Sequence, residues 1–343
     1  MFGKSNAKIE RSFTMSIGEL IFQVHSDKLL IVDHNGGILQ TPITSDEMQT
    51  LSEFCEKSKD ILQPIPGNTI VYINDSGPQK ITLMKDEKDN YLLLLNQQLQ
   101  FTSQSEEIYH EALVGPVVCS VDSPPKNFLI LGGGDGLVAK QVFKENPEAK
   151  VVLVDFDKNI TDLFTDDVVM KQFNEDSMVK CKVINDDAFE FVRNVSAKFD
   201  VIICDFPDPD DVIFNKLYSL EFYNNVKNLL VEGGALAVQS GSLAKESKSF
   251  KCIEKTIQAS GFSTITFYTP SSYGDLVYTV GRLDTKPTPN FSKSIRKYKT
   301  LSQEFFEKGM CTFRPGAYSE DEVEINTVEN LAALEYRAEE LRL

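Results

Sequence analysis

Nowhere in the 343 residues do two cysteines stand closer than 23 positions; the six lie at 55, 119, 181, 204, 252 and 311. That excludes the closely paired thiols of a redox motif or a zinc finger, and unpaired thiols suit a reducing compartment. Histidine is scarce, with 3 in the chain, and none accompanies acidic residues at metal-ligand spacing. No apolar run reaches the ~18 residues that a membrane span needs. The opening segment Met1–Phe13 lacks the apolar stretch of a signal peptide. A cytosolic protein with no membrane partner is predicted. Bases are short too: 35 Lys and Arg against 51 Asp and Glu leave a net charge of −16. A field of that sign repels phosphate backbones, so no nucleic-acid partner is expected.

What is present describes an ordinary globular chain, 41% hydrophobic and 25% charged, long enough for about two domains. Residues 1–62 read as a small α+β unit. Strand-like runs at 19–24, 28–33 and 37–41 precede a helix pattern from Ser45 to about Ile61, and LQPIPGN (62–68) reads as a linker. Residues 63–120 continue with strands at 68–75, 80–85 and 90–96 and a helix from Tyr109 to Cys119. From 121 to 318 apolar runs alternate with helix-length segments: 127–131, 150–155, 179–184, 199–204, 233–239, 264–268 and 276–280. Uninterrupted apolar strands alternating with helices predict a doubly wound, mostly parallel α/β sheet, its last two strands pairing as an antiparallel hairpin. Residues 319–343 read as a charged, helix-prone tail, with Glu320, Asp321, Glu322 and Glu324 at a solvated helix start.

The run Leu129–Gly136 (LILGGGDG) leads a strand into glycines and then a helix pattern at 137–145. Glycines permit a tight turn and a close approach to a ligand. The dinucleotide fingerprint is matched only loosely, because Leu137 stands at the third glycine position. The next strand ends in Asp155, placed to accept from ribose hydroxyls. After the third strand come Asp186 and Asp187, either of which could accept from an adenine amine. Acids in register at successive strand tips favour a nucleoside, and both NAD and S-adenosyl ligands fit. The fourth strand runs into Asp205-Phe-Pro-Asp208-Pro-Asp-Asp211. Asp135, Asp155, Asp186, Asp187, Asp205 and Asp208 should therefore converge on one cleft, which is costly unless cations compensate. No cluster of Lys or Arg accompanies them, so a metal or a cationic substrate is expected to enter.

Taken together these segments resemble the polyamine aminopropyltransferases, the spermidine synthase family. Gln100-Phe-Thr-Ser-Gln-Ser-Glu-Glu-Ile-Tyr-His-Glu-Ala112 is similar to that family's Q-x-T-x-x-D-E-x-x-Y-H-E block, Gly132–Gly136 to its glycine loop and Asp205–Pro209 to its D-x-x-D-P segment. Asn215–Tyr223 is similar to its following helix, Gly233–Gln239 to its fifth strand and Ser76–Gln79 to its S-x-x-Q. The resemblance spans roughly 70–320; residues 1–60 have no assigned counterpart. It implies a Rossmann-like fold of the S-adenosylmethionine-dependent transferase type behind a small N-terminal β-rich region. It implies decarboxylated S-adenosylmethionine as co-substrate, with no metal and no other cofactor. It also implies a polyamine acceptor (putrescine first, spermidine as runner-up) and a homodimer made through the N-terminal β region. Asp205, helped by Tyr109, would be the catalytic base. Gln79, Asp155, Asp187, Ala188, Gly132 and Gly134 would bind the donor nucleoside, with Asp187 preferred over Asp186 by its spacing to Phe189. Asp135 would hold the aminopropyl ammonium. His110, Asp208 and Tyr273 would line the acceptor channel with Tyr109. Three departures stand out: Ser105 for the usual Asp, Leu137 for a frequent Gly, and Pro-Asp-Asp-Val-Ile (209–213) for the commoner lid; the last two touch loops near the acceptor. A methyltransferase of the same fold and a non-catalytic polyamine-binding relative are the rival expectations.

Overall fold

The computed structural model describes residues 68–241, 248–269, 276–302, 304 and 323–339 in full. At 13–17, 20–25, 28–33, 38–42, 242, 243, 275 and 340 it describes the backbone alone. By contact the chain divides into two compact units, residues 1–66 with 341–343, and residues 67–340. In the first unit, β1 (Phe13–Ile17), β2 (Leu20–His25), β3 (Lys28–Asp33) and β4 (Ile38–Pro42) form an antiparallel meander. β1 was not expected from the sequence. The helix expected at 45–61 lies outside the described residues.

The second unit opens with another antiparallel meander: β5 (Asn68–Asn74), β6 (Ile81–Asp86), β7 (Tyr91–Leu95) and β8 (Gln98–Thr102). β8 escapes the sequence reading because only Phe101 of its residues is buried, so it shows no apolar run. Helix α1 (Glu106–Val118) follows, buried almost all round from His110 onward.

The main sheet has seven strands in the order β11-β10-β9-β12-β13-β15-β14. β9 (Asn127–Gly132), β10 (Lys150–Val154), β11 (Lys182–Ile184), β12 (Phe199–Asp205) and β13 (Leu230–Leu243) run parallel; β14 (Ser263–Thr269) and β15 (Asp275–Arg282) complete the sheet antiparallel. The apolar runs are uninterrupted because both faces are covered. Phe128, Ile130, Val201 and Ile203 enter one core cluster, while their neighbours Leu129, Leu131, Ile202 and Cys204 enter the other. The third parallel strand is shorter than the expected 179–184, because Ser177–Lys180 makes a helical turn instead. The chain winds outward from β9 through β10 to β11, then returns to place β12 on β9's other side. Ligands in such sheets sit where the winding reverses, and here the register pairs Asp205 directly with Gly132. In the tail a helix runs only from Ala332 to Glu340; Glu324 lies ahead of it, and Glu320–Glu322 fall outside the described residues.

Glu111, in the Tyr-His-Glu run of α1, proves to be a staple. Its carboxylate accepts from the backbone N–H groups of Lys299 and Thr300 at 2.8 Å each and from the Thr300 hydroxyl at 2.5 Å. Arg296 stands 3.7 Å away. Removing it leaves these donors unpaired beside a buried helix. Glu111→Ala is expected to lower the unfolding free energy by about 2–4 kcal/mol, read by urea unfolding, with Glu111→Gln losing less.

Candidate active site

β9 ends in a turn that only glycine makes without strain. Gly132 has φ +82°, and a Cβ there would lie 2.1 Å from the backbone oxygen of Asp205. A Cβ on Gly134 would come within 2.7 Å of an Asp155 carboxylate oxygen. The two strand tips therefore touch, and the Gly134 N–H donates to Asp155 Oδ2 at 3.0 Å while the Asp157 N–H donates to Oδ1 at 2.8 Å. Burial pushes the Asp155 carboxyl up to about 7, against the pull of these two donors. Each oxygen keeps a lone pair for a ligand hydroxyl. The turn delivers the chain to α2 (Leu137–Glu145). Leu137, at the departure from the resembled motif, is fully buried in the core, so its bulk faces the protein interior.

Asp187 precedes α3 (Ala188–Asn194), whose first turn it caps by accepting from the Phe189 N–H at 2.8 Å. Its other oxygen meets Lys216 Nζ at 2.5 Å. Asp187, Ala188 and Lys216 line the cleft, and Asp186 does not. Lys216 was not singled out in the sequence; only its spatial approach to Asp187 reveals it.

At the switch point the Tyr109 hydroxyl donates to Asp205 Oδ1. Burial raises the Asp205 carboxyl to about 6; the His110 ring and the Tyr109 bond pull it down, and the Asp135 carboxylate pushes it up. Burial likewise holds the Tyr109 hydroxyl well above its ordinary value, reinforced by the Asp205 charge, so Tyr109 stays a donor. Asp135 is raised by burial, opposed by His110 and by the Leu137 N–H, which donates to Oδ1 at 2.9 Å. Behind these groups lies a buried charge cluster that the sequence reading missed. His110 Nδ1 sits 2.6 Å from the Glu106 carbonyl and 3.1 Å from its carboxylate. A carbonyl only accepts, so Nδ1 carries a proton. Burial disfavours the charged imidazole, yet the bond to Glu106 and the charge of Asp135 raise its pKa. Lys140 Nζ, 5% exposed, lies 2.6 Å from Glu106. Burial opposes the Glu106 carboxylate, but His110 and Lys140 hold it down at about 2.

The segment after β12 carries its own counter-ion. Asp208 accepts from Gln239 Nε2 at 3.1 Å and from Arg337 Nη2 at 2.8 Å. Asp210 accepts from Arg337 Nε at 3.2 Å and from Gln98 Nε2 at 3.1 Å. Neither Asp208 nor Arg337 is among the described residues lining the cleft. The expectation that no bases accompany the acids is thus corrected: Lys140, Lys216 and Arg337 arrive from elsewhere in the chain. Tyr273 lies outside the described residues. Ser105 occupies the position before α1, its hydroxyl 3.1 Å from that of Thr102. The altered lid forms a short helix, Val212–Asn215, capped by Asp211.

The cleft encloses about 980 Å³ including its open mouth. Gln79, Tyr109, His110, Gly132, Gly134, Asp135, Asp155, Asp187, Ala188 and Asp205 all line it, with Leu93, Leu95, Phe156, Ile213 and Phe214 as apolar walls that the sequence reading had not assigned. Among the described residues no three His, Cys, Asp or Glu side chains group to hold a metal ion, and no helix is long and apolar enough to cross a membrane.

The raised pKa of Asp155 has a stability consequence of fixed sign. Its folded value of about 7 exceeds the ordinary 3.8, so the stability it contributes is full below that lower value and is lost as pH rises through the upper one. Unfolding free energies of wild type and Asp155→Asn, measured by urea from about pH 4 to about pH 7, should converge or cross in that direction. A difference independent of pH would refute the assignment.

The geometry can be set beside known proteins. The family model for the spermine/spermidine synthase domain matches residues 106–293. A polyamine aminopropyltransferase of Oceanobacillus iheyensis is 40% identical over 204 residues, 59% of this chain and 40% of that protein. Another from Leptospira interrogans is 36% identical over 254 residues, 73% of this chain and 50% of that protein. This chain thus spans about half the length, or less, of these curated relatives. Among solved structures, a spermidine synthase in complex with the transition-state analogue AdoDATO superposes with a TM-score of 0.61 at 20% identity, covering 71% of this chain and 85% of that one. The spermidine synthase of Thermotoga maritima gives 0.60 at 21%, covering 71% and 84%. Those two establish likeness of fold, and the family model, matching more than half of the chain, establishes kinship: the chain belongs to the spermine/spermidine synthase family.

Proposed function

We propose that the protein is a polyamine aminopropyltransferase, moving the aminopropyl group of decarboxylated S-adenosylmethionine onto an amine, with putrescine as acceptor and spermidine as product. The observation that carries this reading is the Tyr109–Asp205 pair, half-buried beside Asp135 at the point where the sheet's winding reverses. Asp155, with Gln79, takes the ribose side of the donor, and Asp187 and Ala188 take the adenine. Asp135 receives the aminopropyl ammonium and disfavours ordinary S-adenosylmethionine, whose carboxylate it repels.

The acceptor ammonium titrates near ~10 and cannot attack while protonated. Asp205 takes that proton. With its carboxyl at about 6 rather than 3.8, the transfer is less uphill by about 3 kcal/mol. Tyr109, a fixed donor, orients the carboxylate so that the free lone pair faces the methylene. The amine nitrogen bonds to that carbon as the carbon–sulfur bond breaks. Its electron pair stays on sulfur, and neutral methylthioadenosine leaves. Positioning and charge placement supply most of the acceleration.

The N-terminal strand unit is assigned to subunit contact, so a homodimer of cytosolic location belongs to this reading; a monomeric mass by light scattering overturns the dimer. Purified protein incubated with the decarboxylated donor and putrescine should release methylthioadenosine, with spermidine identified by mass. Release of S-adenosylhomocysteine from ordinary S-adenosylmethionine would instead mark a methyltransferase. Asp205→Asn should lower kcat by at least about 10²-fold while calorimetric binding of methylthioadenosine survives; near wild-type turnover would remove Asp205 from its role.

A further inference from the structure

Asp208 does not itself line the cleft but directly follows Pro207, which does, and its carboxylate is already occupied. Arg337 holds Asp208 at 2.8 Å and Asp210 at 3.2 Å. This contact is built rather than accidental. On one side, Gln239 bonds Asp208 at 3.1 Å and lies 3.2 Å from the Tyr218 hydroxyl, which reaches the Pro207 carbonyl at 2.9 Å. On the other, the segment carrying Arg337 is tied down just ahead of the tail helix and in that helix's first turn. Buried Asn326 donates to the Asn215 carbonyl and accepts from the Ala333 N–H, while the Leu334 N–H donates to Asn215 Oδ1, each at 3.1 Å. Arg337 follows one turn later, 12% exposed.

We propose that Arg337 is a specificity residue for the acceptor: an internal cation seated on Asp208, which the remote ammonium of a diamine must displace or share. The inference rests on the aminopropyltransferase reading. Two carboxylates and one guanidinium leave a net single negative charge, enough to attract one ammonium but with its best partner taken. Guanidinium keeps its charge at any working pH, so the competition is permanent. It acts on an acceptor with a charge at both ends. An amine with one charge, engaged at Asp205 alone, does not meet it.

The test compares wild type with Arg337→Met, measuring calorimetric binding and turnover of 1,4-diaminobutane and of butylamine with saturating nucleoside. The variant should bind the diamine about 2- to 5-fold tighter, the scale of one partly exposed ion pair, lower its KM without changing kcat, and leave butylamine unaltered. Asp208→Asn in the same background should erase the gain. Equal weakening of both amines would show that Arg337 merely holds the loop, and an unchanged diamine would show that the acceptor never meets Asp208. Either result overturns the inference. Arg337→Lys, which keeps a charge but not the two-pronged grip, should give a smaller gain if the Met variant folds poorly. Putrescine probes the parent reading without Arg337: if wild type releases no methylthioadenosine with it, that reading fails, whereas putrescine turnover by wild type without a diamine gain in the variant sinks this inference alone.

Discussion

A carboxylate taken out of water must be answered by a proton, a cation or a set of hydrogen-bond donors, and the carboxyl edge of this sheet draws several into one place. The architecture answers most of them internally. Asp155 receives two backbone N–H groups, Asp187 receives Lys216, and Asp208 with Asp210 receives Arg337. Asp135 and Asp205 are answered only in part, by single donors and by the charge of His110. Those two carboxyls are held above their ordinary values by burial, which is the cost of leaving them open. A pair of carboxylates short of positive charge is poised for a cationic ligand, whereas the satisfied ones shape and orient.

The rigidity of this arrangement comes from how its parts are supported. Gly132 and Asp205 are register partners in adjacent strands, so the distance between the glycine loop and the base is set by the ladder. Tyr109 comes from α1, a helix buried in the core and stapled through Glu111 to the 296–300 segment. Glu106 and Lys140 join α1 to α2 by a buried ion pair. Such pairs contribute little net stability but tolerate few alternative packings. Here they fix the ring of His110 against the carboxylates it serves.

Much of this was legible in the sequence, for identifiable reasons. Apolar runs at β9, β10, β12 and β13 announce strands buried on both faces, and each acid that ends one falls at the same sheet edge because parallel strands share a direction. β8 and the turn at Ser177–Lys180 were not legible, since polar Gln98 and Gln100 hide the first, and apolar Met178 and Val179 give the second a strand-like look. The counter-ions were the larger loss. Lys140 meets Glu106 across 34 positions, Lys216 meets Asp187 across 29, and Arg337 meets Asp208 across 129. Local spacing carries acids at strand tips, but it carries no information on which distant base folds back onto them.

Charge also gives the proposed reaction a direction. Donor and acceptor arrive with a sulfonium and ammonium groups, drawn by Asp135 and Asp205 into a site walled by Leu93, Leu95 and Phe214, where attraction is stronger than in water. Once Asp205 has taken the acceptor's proton, its own charge is gone. Once the carbon–sulfur bond has broken, the sulfonium is gone as well. The leaving nucleoside is neutral, and the aminopropyl group, with the ammonium that Asp135 held, now belongs to the other product. The charge attraction that assembled the complex therefore no longer retains the nucleoside, so the step that makes the new bond also loosens the grip on one product. The buried Glu106–Lys140–His110 cluster bears on this: the His110 ring, its pKa raised by Glu106 and Asp135 against burial, pulls the carboxyls of Asp135 and Asp205 down and so tempers the pair.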